Sequence, residues 1–129
     1  MRPLRAWLHR FARSSFGGFV IHVLLSRFSF ALPLKRLRET DSLIAFHHPD
    51  PAYPLHILLV PRKPYSSWTD VSPEDTDFLQ DLARVSQDLI QTFNLEEQGY
   101  RLIVNGGRNQ EVAHLHIHLI SETEATVKL

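Results

Sequence analysis

Ala113-His114-Leu115-His116-Ile117-His118-Leu119-Ile120 alternates three imidazoles with aliphatic side chains. On a β-strand, successive side chains point to opposite faces, and residues two apart stand about 6.6–6.8 Å from each other. His114, His116 and His118 then share one face, with Leu115, Ile117 and Leu119 turned into a core. On a helix the same rings would fan over roughly 200°, at about 100° per residue, and could not converge on one small group. The β-branched and aliphatic interleaving predicts the strand. Just upstream, Asn105-Gly106-Gly107 is a flexible turn whose backbone N–H groups suit an anion.

The chain has 129 residues, enough for one domain with a proper core and too few for two. With no cysteine it has neither a disulfide framework nor a thiolate metal site. Its net charge is zero but unevenly placed. Residues 1–38 carry eight Lys/Arg and no acid, whereas residues 39–129 carry six basic against fourteen acidic residues, a balance of −8. Asymmetry of this kind points to an interaction surface.

In residues 1–13 a helical projection sets Leu4, Trp7, Leu8 and Phe11 opposite Arg2, Arg5, His9 and Arg13. That pattern suits the plane of a membrane interface, or an apolar side packed on the domain. A second apolar run, Phe16 to Leu34, has no uncharged piece longer than the 13 residues Ser14–Ser26 brackets. A bilayer needs roughly 18–20, so no transmembrane helix is expected. No secretory cleavage pattern stands out either. The expected location is the cytoplasm, with membrane association and, from the Arg-rich start, mitochondrial targeting left open. No nucleic-acid partner is expected.

From Leu32 onward the pattern is that of an ordinary compact domain. Lys35–Asp41 reads as a connection and Ser42–His47 as a strand. His48–Pro54 reads as a loop, because three prolines in six residues exclude regular structure. Leu55–Val60 is a second strand carrying His56, and Arg62–Val71 a further connection. Ser72-Pro73-Glu74-Asp75 predicts a helix start, with serine as cap, proline in the first turn and acids on the dipole. Phe78, Leu82, Val85, Leu89 and Phe93 then form one apolar stripe that fades at Asn94. Gly99 leads into a third strand, Tyr100–Val104, and the turn of residues 105–111 completes a hairpin with the histidine strand. Strands with one long helix and no βαβ alternation predict an α+β fold with an antiparallel sheet.

Three chemistries suit the histidine strand: a histidine-ligated metal, a polar cleft or partner interface without chemistry, and nucleophilic catalysis at phosphorus. For the last, imidazole with its pKa near 6.5 is largely neutral at pH 7 and can attack without a strong base. Neighbouring rings can hydrogen-bond the non-bridging oxygens.

The His114-x-His116-x-His118 motif with its two following aliphatics resembles the histidine triad (HIT) family of nucleotidyl hydrolases and transferases, its Hint-like branch in particular. The resemblance extends over residues 32–120, through Leu32-Pro33-Leu34-Lys35, Glu39-Thr40-Asp41, Leu43–His47, His56 and Tyr100–Gly106. It implies an antiparallel sheet of about five strands with one long helix and an N-terminal helical segment. It divides the chain into a basic extension, 1–31, and a HIT-like catalytic domain, 32–129. Relatives pair through the strand equivalent to Tyr100–Val104 and the long helix, which implies a homodimer.

Roles follow residue by residue as implications of that resemblance. His116 would be the nucleophile, His118 a donor to the phosphate or leaving atom, and His114 and His56 would hold the rings in place. Asn105 would contact the nucleotide near the scissile phosphate, and the N–H groups of Glu111 and Val112 would cradle phosphate oxygens. His47, Leu55 and Leu32 would line the nucleoside pocket. The substrate would be a purine nucleoside 5′-phosphoramidate or a related conjugate, opened through a covalent nucleotidyl-histidine with no cofactor required. Departures are specific. His48 stands where relatives carry an acid that reads the ribose, with Asp50 nearby in the same loop as a substitute. Glu111 replaces a small hydroxyl residue, and no tryptophan follows the motif. A nucleotide-binding or membrane-associated adaptor without turnover is the competing reading.

Overall fold

A computed structural model of the chain describes residues 36–124. The predicted basic extension, residues 1–31, and Leu32 lie outside them. Five strands form one antiparallel sheet: β1 (Arg36–Glu39), β2 (Leu43–His47), β3 (Leu55–Pro61), β4 (Arg101–Val104) and β5 (Ile117–Ser121), in the order β1-β2-β3-β5-β4. Helix α1 (Thr76–Thr92) and the single-turn α2 (Leu95–Gln98) stand between β3 and β4. The fold is α+β, as the sequence predicts.

Strand alternation divides the sheet into two chemically different faces. Leu43 and Ala45 of β2, Leu55, Ile57 and Leu59 of β3, and Ile117 and Leu119 of β5 pack with Phe78, Val85, Leu89 and Ile90 of α1 and with Phe93, its C-cap. The α1 stripe thus lands on one sheet face, and Leu43, Ile57, Leu59, Leu89 and Leu119 are fully buried there. The opposite face carries Ile44, Phe46, Leu58, Val60 and Ile120, also buried, together with His56 and His118. Register fixes that placement, because Leu58 opposes His118 and His56 opposes Ile120.

Four predicted boundaries require correction. Residues 36–39 are a strand rather than a connection. Arg-Leu-Arg-Glu lacks apolar alternation, and β1 is an edge strand, where charge is the normal protection. Arg38 ties it to α1 by reaching the Asp88 carboxylate at 2.5 Å and Thr92 Oγ1 at 3.1 Å. Helix α1 begins at Thr76 with Asp75 as N-cap, not at Ser72. The Ser72 hydroxyl instead accepts the Glu74 N–H at 3.1 Å in the turn before it, while the Asp75 carboxylate accepts the Tyr65 hydroxyl at 2.5 Å. A short 3₁₀ turn, Trp68–Asp70, interrupts the connection after β3. Asn94 takes a left-handed conformation, φ 58°, which ends α1 before α2 starts.

The fourth correction concerns the histidine stretch. Strand pairing begins only at Ile117, so His118 lies in β5 while His114 and His116 precede it. Val104 opposes Ile117, and beyond Val104 the chain leaves the sheet into a 3₁₀ turn, Gly107–Asn109. Among the described residues no strand therefore flanks residues 113–116 on that side. The Leu115 N–H donates instead to the Tyr65 carbonyl at 2.9 Å. Alternation nonetheless survives the loss of pairing, because Leu115 joins the helix-side core with Ile117 and Leu119.

Candidate functional site

Four imidazoles form a continuous row on the face away from α1. Ring centroids are 4.4 Å apart between His48 and His56, 5.2 Å between His56 and His118, and 5.0 Å between His118 and His116. The loop between β2 and β3 holds one end of the row. The His48 N–H donates to the His56 carbonyl at 2.8 Å, and the Ala52 N–H donates to His56 Nδ1 at 3.1 Å. Tyr53 sets its ring edge-on to His56, 5.5 Å away.

These bonds dictate where the protons sit. His56 Nδ1 accepts from a backbone N–H, so the neutral ring carries its proton on Nε2. That Nε2–H donates to His118 Nδ1 at 2.9 Å, which places the proton of neutral His118 on its own Nε2. His116 has the opposite arrangement. Its Nδ1 lies 2.8 Å from the His114 carbonyl oxygen, which can only accept, so Nδ1 bears the proton and Nε2 keeps a lone pair. The row ends in one donor, His118 Nε2–H, beside one nucleophilic nitrogen, His116 Nε2.

Burial keeps the row uncharged. Desolvation lowers the His48 pKa to about 4, with the neighbouring His116 adding to the effect. Desolvation likewise brings His118 to about 3, assisted by His116 and His48. His56 falls to about 2 through desolvation and then its three histidine neighbours. His116 is also lowered by burial, a shift opposed by its bond to the His114 carbonyl. All four are neutral at pH 7.

The structure brings together His56, His116 and His118 as the sequence predicts, and joins His48 to them. His114 is buried and positions His116 through its backbone oxygen. Asn105, half-buried, follows Val104 where the chain leaves the sheet. Glu111 and Val112, both half-buried, lie in the turn that precedes the motif. Two expectations fail for the same physical reason. His47 opposes Ile57 in the helix-side core, and its ring meets Phe93, the C-cap of α1, edge-on at 6.1 Å. Leu55 packs in that core as well. Strand alternation puts both on the face away from the row, so neither lines a pocket before it; Phe46 and Leu58 occupy the histidine face instead. Leu32 lies outside the described residues.

Some positioning groups escaped the sequence reading. Gln110 Nε2 donates to the Ser66 carbonyl at 2.6 Å and the Val112 carbonyl at 3.0 Å, clamping the turn before His114 to the loop after β3. The Ala52 N–H that orients His56 is backbone and carries no residue-type signal. As for a metal, among the described residues no group of three or more His, Cys, Asp or Glu side chains is arranged to hold one. The bond between His56 and His118 engages two of the nitrogens that ligation would need.

A five-stranded antiparallel sheet with a helix on one face and a row of neutral histidines on the other defines the class of protein to which the chain belongs. Comparison with known proteins gives the class its name: the HIT domain family matches residues 30–125. A HIT-like protein of Azospirillum brasilense is 37% identical over 93 residues, covering 70% of this chain and 76% of the relative. One from Buchnera aphidicola is 32% identical over 91 residues, covering 69% and 81%. Among solved structures, a HIT family hydrolase from Legionella pneumophila superposes with a TM-score of 0.67 at 31% identity, covering 74% of this chain and 87% of that one. A histidine triad protein from Clostridium difficile gives 0.68 at 29% identity, covering 85% and 91%. The chain belongs to the HIT family.

Proposed function

We propose that this protein is a nucleotidyl hydrolase or transferase that opens a phosphoramidate or phosphoanhydride bond at the α-phosphate of a purine nucleotide conjugate, with His116 as nucleophile. The observation that carries this reading is the bond from His116 Nδ1–H to the His114 carbonyl, which leaves an uncharged ring with its lone pair on Nε2. Nucleotide binding is also what the name of a similarly folded Candida albicans histidine triad protein states of that protein.

The chemistry is two in-line displacements. His116 Nε2 attacks phosphorus, forming a P–N bond as the bond to the leaving amine or phosphate breaks; the leaving group departs with that electron pair, and an amine takes a proton from solvent. The nucleotidylated ring is cationic, and its Nδ1–H then makes a charge-assisted bond to the His114 carbonyl, stronger than the one in the resting ring. His118 Nε2–H donates to an oxygen of the phosphoryl group, on which charge develops. A water next attacks phosphorus, the P–Nε2 bond breaks with its pair returning to His116, and the water's surplus proton passes to solvent. Imidazoles and water suffice for both steps, so no cofactor is needed.

Incubation with adenosine 5′-phosphoramidate followed by rapid acid quench and mass spectrometry tests this reading. The expected result is one adenylyl adduct per chain, mapped to His116, with release of ammonia and AMP. Stoichiometric AMP binding with neither adduct nor product would sink the enzyme reading and leave a nucleotide-binding adaptor.

Two association properties complete the proposal. On β4 and just before it, Tyr100, Leu102 and Val104 are exposed by 38%, 44% and 40%, an apolar stripe along an edge strand with unpaired backbone groups. A homodimer that pairs β4 with its copy would cover them. Sedimentation is expected to show a dimer that dissociates in a Leu102→Asp/Val104→Asp double variant; an unchanged dimer would place the interface elsewhere. Residues 1–31 are proposed as a peripheral membrane contact. Binding to phosphatidylserine vesicles should weaken with salt and on deletion of residues 1–13, and its absence at every ionic strength would leave packing as the role of that segment.

A further inference from the structure

His116 owes its tautomer to one peptide group. The His114 carbonyl takes the Nδ1 proton at 2.8 Å, and the N–H of that same peptide, on Leu115, donates to the Tyr65 carbonyl at 2.9 Å. A trans peptide is planar and points its C=O and N–H in opposite directions, so whatever holds the Leu115 N–H also aims the His114 carbonyl. Hydrogen bonds strung through one peptide polarise and strengthen each other as well. Pairing of β4 with β5 stops at Val104 and Ile117, two residues short of Leu115. Leu115 is only 1% exposed, and a buried N–H needs a partner. The Tyr65 carbonyl takes the place of the ladder there.

Tyr65 is in turn fixed by its own side chain. The residue is buried, its ring packs on Phe78 of α1 with centroids 5.6 Å apart, and its hydroxyl donates to Asp75 Oδ2 at 2.5 Å. Asp75 is the N-cap of α1, so the carbonyl that meets Leu115 is anchored to the start of the helix. Ser66, the next residue, accepts from Gln110 Nε2 at 2.6 Å; that second tie ends in the turn and leaves the peptide between His114 and Leu115 to Tyr65. We propose that Tyr65 is the positioning residue of the nucleophile. Its hydroxyl on Asp75 holds the carbonyl that orients the 114–115 peptide, which keeps the proton of His116 on Nδ1 and the lone pair on Nε2. The start of α1, on the other side of the sheet, thereby helps to aim the attacking ring. The catalytic consequence rests on the reading of His116 as nucleophile, and the tautomer rests on the hydrogen bonds alone.

Imidazole nitrogen NMR spectra of the full chain at neutral pH, together with turnover of adenosine 5′-phosphoramidate, test the proposal. In the unaltered protein His116 should show a protonated Nδ1 and a bare Nε2. Tyr65→Phe keeps the ring and removes the hydroxyl. It is expected to give His116 signals averaged between the two tautomers while those of His56 and His118 stay in place. Its kcat should fall about tenfold with KM held within about twofold, since a misplacement of roughly 1 Å can cost about a hundredfold. Asp75→Ala breaks the same bond from the acceptor side and should do the same, whether or not Tyr65→Phe folds. Asp75→Asn, whose amide oxygen still accepts the hydroxyl, should keep the unaltered spectrum and kcat. Tyr65→Phe and Asp75→Ala in one chain should lose no more than either alone, because both remove one bond. A His116 spectrum and kcat unmoved in Tyr65→Phe would overturn the proposal. So would signals that shift alike in all three rings, or a kcat that falls as far in Asp75→Asn as in Asp75→Ala; either makes the bond a matter of general stability. No turnover by an unaltered protein whose tautomers are as expected refutes the nucleophile alone, whereas a proton on His116 Nε2 refutes both readings.

Discussion

His116→Ala is expected to lower kcat on a nucleoside phosphoramidate by about 10⁴-fold or more, the scale seen when a covalent nucleophile is removed from a site that otherwise keeps its binding groups. AMP affinity should change little, because the substitution removes a ring that bonds phosphorus and leaves the donors around it. His118→Ala should cost less, about 10²–10³-fold, since it deletes one donor to the developing charge and spares the nucleophile. The difference follows from the tautomers. His116 Nδ1–H is committed to the His114 carbonyl and His118 Nδ1 to His56 Nε2–H, so of these two rings His116 alone keeps an unengaged lone pair. Single-turnover kinetics with intact-mass detection separates the cases: no adduct in His116→Ala, and an adduct that forms slowly in His118→Ala. Equal losses in the two variants, with an adduct persisting in His116→Ala, would move the nucleophile to another ring.

Acid should unfold this protein in a window where carboxylates do not titrate. In the unfolded chain His48, His56, His116 and His118 protonate near pH 6.5. In the folded chain burial holds His48 down to about 4, His118 to about 3 and His56 to about 2, and lowers His116 as well. Below pH 6.5 the unfolded state therefore binds more protons than the native state, and stability falls with pH. Each histidine contributes up to about 1.4 kcal/mol per pH unit. The stabilisation is complete above pH 6.5 and drains away as pH drops toward the folded values. Other groups act elsewhere or in the opposite sense. Glu39, Asp75 and Asp81 are lowered, chiefly by side-chain hydrogen bonds from Arg62, Tyr65 and Ser42 respectively, and their contribution is lost only in more acid solution. Asp50, raised by burial, gains stability on acidification, one group against four. Urea unfolding at pH 7.5, 6.5, 5.5 and 4.5 should show a midpoint steady across the first two and falling steeply thereafter. A flat profile down to pH 4.5 would mean that the row is solvated.

Much of this protein was readable in one dimension. The α1 stripe, the β2 and β3 cores and the place of β4 in the chain are set by apolar period and by turn residues, which act over a few positions. The histidine motif likewise announced His116 and His118, because alternation alone sends them to one side and Leu115, Ile117 and Leu119 to the other. Strand β1 was not readable, since an edge strand needs no apolar alternation and Arg36–Glu39 offers none. Nor was the start of α1, where Ser72 and Asp75 are both competent caps and only the Tyr65 hydroxyl bonded to Asp75 shows which turn the chain takes first.

By itself, the sequence determined which side chains could be buried together and which types were available for chemistry, since periodicity and residue type are local properties. Only tertiary structure decided which neighbours those side chains have. Register sent His47 and Leu55 to the core face, although the resemblance had assigned them to the site. A loop folding back on His56 brought His48 into the row, through bonds from the backbone N–H groups of Asp50 and Ala52. The Leu115 N–H bonded to Tyr65 stopped β5 at Ile117 without disturbing which way its rings point. Each of these depends on backbone groups distant in sequence meeting in space, and a peptide N–H is the same donor on whatever non-proline residue carries it.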